Sequence, residues 1–103
     1  MSTKDEASIK VIVELHAKPG RRTELMNLLV SVVAKYGSGQ PGFLGSLQYE
    51  VIDNPDILVE IADWTSAEVR ATAMQQAMTD GAYAPLEELL AAPFRATVIR
   101  QLT

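Results

Sequence analysis

The chain has 103 residues, 48% of them apolar and 21% charged, and 13 acidic against 9 basic side chains give it a net charge of −4. That length holds one small domain, and the composition is that of a globular chain rather than a disordered one. An acidic chain whose only adjacent basic pair is Arg21-Arg22 lacks the footprint of nucleic-acid binding, and a sequence without cysteine has no disulfides, thiolate nucleophiles or iron–sulfur ligands.

No apolar run approaches the ~20 residues that a bilayer crossing needs. Residues 1–8 are polar and lack the apolar stretch of a signal peptide, so they are read as a flexible leader. The remainder, 9–103, is read as a single domain of a cytoplasmic protein with no membrane contact. Ile9–Ala17 is rich in β-branched residues and is expected to be a strand, with Val11, Val13 and Leu15 on one side and Ile12, Glu14 and His16 on the other. Lys18-Pro19-Gly20 ends it with turn chemistry. Arg21–Tyr36 carries Leu25, Leu28, Leu29, Val32, Val33 and Tyr36 at helical spacing, an apolar stripe along one helix face.

A loop over Gly37–Gly42 leads into a second strand, Phe43–Ile52, with Leu47, Tyr49 and Val51 on one side and Ser46, Gln48 and Glu50 on the other. Asp53–Asp56 reads as a four-residue turn, so a third strand, Ile57–Trp64, is expected to fold back as a hairpin. Thr65 with Glu68 three residues on has the form of a capping box and starts a helix running to Met78. Thr79-Asp80-Gly81 breaks it, Tyr83–Ala91 is read as a short third helix closed by Pro93, and Ala96–Leu102 as the last strand.

The order β-α-β-β-α-(α)-β is that of the α+β class with a ferredoxin-like split βαβ: a four-stranded antiparallel sheet with helices on one face. The other face would be bare although it carries large apolar residues, and a second copy covering it by a two-fold contact is the simplest solution. A homodimer through the sheet faces is therefore expected.

Several segments resemble the antibiotic biosynthesis monooxygenase family. They are Ala17-Lys18-Pro19-Gly20 before the first helix, Gln40-Pro41-Gly42-Phe43-Leu44 at the start of strand two, Glu60–Glu68 around Trp64, and Leu86–Pro93. Their order and spacing extend from Ile9 to Leu102. The resemblance implies a dimeric α/β barrel with a pocket in each subunit between sheet and helices. It also implies reactions among which the oxidation of anthrones and quinols with O2, without metal or flavin, is prominent. Haem-degrading relatives have an Asn on strand one and a His on the helix after the Trp. Here those positions fall at Val13 and near Ala73–Gln76, so neither side chain is present. The anthrone oxygenases have an Asn four residues before the Trp and a Tyr six after it, where this chain has Glu60 and Arg70.

The expected function is thus a cofactor-independent monooxygenase acting with O2 on a small planar aromatic of quinol or anthrone type. Trp64 would wall the pocket and donate its indole N–H, and Glu60 would act as general base, since residues four apart in a strand share a face. Arg70 or Tyr83 would orient a phenolic oxygen, and both are counted among the substrate contacts with Met74, Met78, Phe94 and Val13. The competing readings are a Trp64 that only anchors a corner, a Glu60 paired with Arg70 or Arg100, and helix methionines that only fill the core. His16, the single histidine, is assigned to the outer face, with Glu14 beside it paired with a Lys or Arg. No metal and no organic cofactor is expected. The alternative function is a non-catalytic small-ligand-binding or accessory protein of the same fold. A small-molecule isomerase ranks third; it would need a polar pocket with Glu60 and Arg70 both inward.

Overall fold

The computed structural model describes residues 8–102; of the expected leader, residues 1–7 lie outside them. Its strands are β1 (Ile9–His16), β2 (Phe43–Val51), β3 (Asn54–Trp64) and β4 (Arg95–Ile99). Its helices are α1 (Arg22–Tyr36), α2 (Ala67–Thr79) and α3 (Ala84–Glu87). The strands form one antiparallel sheet in the order β2-β3-β1-β4. With the helices on one face this is the expected α+β, ferredoxin-like architecture. No helix among the described residues is long and apolar enough to cross a membrane.

Local chemistry explains the element ends. Lys18-Pro19-Gly20-Arg21 is a tight turn closed by Arg21 N–H donating to Lys18 O at 3.0 Å, and Gly20 at φ +77° supplies the left-handed position it needs. In α1 the first turn holds Glu24 and the last holds Lys35, charges of the signs that suit the two ends of the helix dipole. Leu25 and Leu29 from its stripe are fully or almost fully buried.

Four boundaries differ from the sequence expectation. The β2–β3 hairpin closes earlier: Val51 pairs with Asn54 across Ile52-Asp53, so β3 begins at Asn54 and Asp53–Asp56 is not the turn. The cap of α2 is Ser66, whose Oγ accepts from Val69 N–H at 3.2 Å. Thr65 is held instead at the strand corner, its own N–H donating to Gly42 O at 2.8 Å. The third helix stops at Glu87 because the backbone beyond it pairs with the end of β1: Lys18 N–H donates to Leu89 O and Ala91 N–H to His16 O. β4 ends at Ile99, where its partner β1 runs out at Lys10 and Ile9.

Register fixes which residues share a face. Toward the helices, beyond the Phe43–Trp64–Ile9 row at one end, lie three cross-strand rows, Ser46–Ala62–Val11–Val98, Gln48–Glu60–Val13–Ala96 and Glu50–Leu58–Leu15. The outer face carries Leu47–Ile61–Ile12–Thr97, flanked by Tyr49–Val59–Glu14–Arg95. The core divides into two clusters. One gathers Leu15, Leu25, Leu29, Leu58, Leu86 and Leu89 beneath α1 and α3, and the other Ile9, Val11, Ala62, Trp64 and Ala73 beneath α2. Val13 touches both.

Candidate functional site

Between the two clusters the packing is incomplete. A cavity of about 80 Å³ opens there, floored by the strand residues Val11, Val13, Glu60 and Ala62. Leu29 and Leu86 reach it from one cluster and Trp64 from the other. Apart from Glu60, Arg70 and the hydroxyls of Tyr36 and Tyr83, its lining side chains are apolar or aromatic.

The cavity exists where it does because the middle row of the inner face puts a carboxylate, a valine and an alanine side by side under three helices. The α2 face against the sheet is built on Ala73 and Ala77, both buried, and small side chains there bring the helix close. Trp64, only 3% exposed, closes the end of β3 with Phe43 edge-on at 5.0 Å between ring centroids. Its indole N–H has no hydrogen-bond partner among the described residues, yet no buried side-chain nitrogen or oxygen is stranded without one. That combination leaves the N–H reachable from outside the packing, and the Trp64 side chain lines the cavity. The corner behind Trp64 is tight: Gly42, at φ +88°, lies so close that a Cβ there would stand 2.6 Å from both Thr65 Oγ1 and Val69 Cγ1.

Glu60 is the buried charged residue of the core, 7% exposed. It pairs with no cation. Gln48 Nε2, from the neighbouring position on β2, donates to Glu60 Oε2 at 3.2 Å and also meets Ser46 Oγ at 3.4 Å. Burial raises the Glu60 pKa above the ordinary carboxylate value, and the hydrogen bonds from Gln48 and Ser46 offset only part of that rise. The ion pair with Arg70 or Arg100 weighed from sequence does not form.

Tyr83 donates its hydroxyl to Met74 Sδ at 2.9 Å, a weak acceptor that leaves the proton easily redirected. Its ring lies 5.6 Å from that of Phe94. Burial raises the Tyr83 pKa; the charge of Arg70 lowers it and that of Glu60 raises it, so the hydroxyl feels both.

Of the residues singled out from sequence, the cavity brings together Trp64, Glu60, Arg70, Met74, Tyr83, Phe94 and Val13. Met78 is not among them. It sits on the last turn of α2, where the chain leaves the sheet, and is 65% exposed. Glu14 is paired with neither Lys nor Arg; its Oε1 lies 2.7 Å from His16 Nε2 on the outer face. Residues that sequence reasoning did not assign to the site are Val32, Val33 and Tyr36 of α1 and Phe43 of β2. Their signal was present, since the apolar stripe of α1 ends on a hydroxyl-bearing ring.

No protein-family model and no curated protein matches the sequence. Solved structures do match. A conserved protein from Methanosarcina mazei superposes with a TM-score of 0.82 at 20% identity, covering 98% of this chain and 99% of that one. SnoaB from Streptomyces nogalater, a cofactor-independent oxygenase solved as a point variant, gives 0.81 at 18% identity over 94% and 95%. A candidate antibiotic biosynthesis monooxygenase from Chloroflexus aurantiacus gives 0.70 at 25% identity over 92% and 95%. The chain has the fold of the antibiotic biosynthesis monooxygenases. The resemblance found in short sequence segments therefore extends to the architecture of nearly the whole chain.

Proposed function

We propose that this protein is a cofactor-independent monooxygenase that oxidises a small planar aromatic, quinol- or anthrone-like, with O2. The carrying observation is a buried carboxylate without a cation partner on the floor of a largely apolar cavity that Trp64 also lines. Glu60, made more basic by burial, takes a proton from an acidic ring C–H or O–H of the bound substrate. The electron-rich anion passes one electron to O2, and the resulting radical and superoxide combine to a peroxide anion that takes the proton back from Glu60 to become a hydroperoxide. Loss of water then leaves a carbonyl where an anthrone's CH2 or a quinol's ring C–H stood, so one O2 yields one inserted oxygen and one water. Trp64 supplies a flat wall and a donor for the developing oxyanion, and Tyr83 turns its proton from Met74 Sδ toward a substrate oxygen.

The isomerase reading asked for a polar pocket. Glu60 and Arg70 do line the cavity, but the walls around them are apolar, which favours a flat aromatic ring over a polar substrate. The protein would act as a homodimer through its bare sheet face, where Leu47 and Tyr49 are exposed. The function is tested by dioxygen uptake and product analysis with a quinol and an anthrone, using wild type, Trp64→Phe and Glu60→Gln. Equimolar O2 consumption is expected, lowered about 100-fold or more in Glu60→Gln and about tenfold in Trp64→Phe. Equal rates in all three, or no uptake with any phenol, overturns the reading; a ligand that co-purifies and survives air unchanged would favour the binding protein instead.

A further inference from the structure

Arg70 is a cation without a counter-charge. Lys10 and Arg21 each hold a carboxylate at 2.6 Å, whereas Arg70 has no carboxylate within ion-pairing distance among the described residues. It is half-buried, lines the apolar cavity, and sits in the first turn of α2, where the helix dipole already presents its positive end. The helix end and the apolar walls both favour a negative partner for it. The one carboxylate of the cavity, Glu60, does not: it is engaged by the Gln48 amide from the neighbouring strand. The cavity therefore keeps a positive and a negative group apart instead of letting them neutralise each other, with the Tyr83 hydroxyl within the field of both.

We propose that Arg70 is a specificity-determining residue that selects planar aromatic substrates bearing a carboxylate, held in the cavity with the reacting ring toward Glu60. A guanidinium is a planar fork that matches a carboxylate with two parallel N–H···O bonds, and in a partly desolvated site such bonds are strong. Aromatic walls take the ring and Arg70 takes the acid group. The inference rests on the cavity being an aromatic-binding site, but not on any oxygenation taking place there.

The test is calorimetric titration of wild type, Arg70→Gln and Arg70→Lys with naphthoate and with its neutral counterpart naphthamide, with Trp64 fluorescence as a second readout of occupancy. Wild type is expected to bind naphthoate at least about tenfold more tightly than naphthamide, equivalent to about 1.4 kcal/mol. Arg70→Gln should abolish that preference while leaving naphthamide affinity within about twofold, and Arg70→Lys should retain part of it. Equal affinity of wild type for the two probes, or an equal loss of both in Arg70→Gln, overturns the selection while the aromatic cavity stands. Binding of neither probe overturns the cavity reading together with the selection.

Discussion

The two faces of the one sheet treat charge in opposite ways. On the outer face the acidic side chains have basic companions: Lys10 Nζ holds Asp63 Oδ1 at 2.6 Å and His16 Nε2 meets Glu14 Oε1 at 2.7 Å, all of them largely open to water. On the inner face Glu60 is sealed from water and has only the Gln48 amide and the Ser46 hydroxyl. Water stabilises outer charges whether or not they are paired, so those pairs contribute little. An inner charge without a cation is costly, and a fold concerned with stability alone would place an apolar residue there. That contrast supports the proposed catalytic role of Glu60.

The largest effects should come from the inner face. Trp64→Ala removes a 3%-exposed ring and its edge contact with Phe43, and unfolding in urea should report a loss of about 3–5 kcal/mol. Glu60→Gln sharpens the contrast because it moves activity and stability in opposite directions. The folded-state pKa of Glu60 is raised, so its contribution to stability is full below the ordinary carboxylate pKa and is lost as pH rises through the raised value. A neutral Gln keeps that contribution, so the variant should be more stable than wild type at neutral pH and equal to it in acid, as denaturation at the two pH values would measure. The same titration gives the oxidation rate a rising limb displaced above the ordinary carboxylate range, absent from Glu60→Gln.

Outer-face effects should be smaller and of another kind. Leu47→Glu places a charge at the β2 end of the apolar outer row and should weaken the proposed self-association at least about tenfold in sedimentation, with the monomer still folded. Asp63→Ala breaks the exposed pair with Lys10 and should cost no more than about 1 kcal/mol by urea unfolding.

The strands, the long helix and the order of elements were legible because β-branched runs, an apolar stripe and Gly/Pro turns each act locally. The misread boundaries depended on partners far along the chain. Thr65 and Ser66 are equally good caps in isolation, and what decides between them is Gly42 O, which already holds Thr65 N–H. Leu89 and Leu90 have helical spacing, but the open end of β1 captures their backbone. The site was legible along a single strand, since Glu60 and Trp64 share a face by period alone. Gln48 as the partner of Glu60 was not, because the polar and apolar sides of β2 could be told apart but not assigned to a face until register was known.

The central claim is that Glu60 is a buried carboxylate without a cation partner on the floor of the cavity. Carbon-detected NMR titration of its side-chain carboxyl in the intact protein tests this most directly. The account predicts a midpoint above the ordinary carboxylate value. A midpoint at or below that value would mean that the carboxyl is solvated or paired after all, and would contradict it.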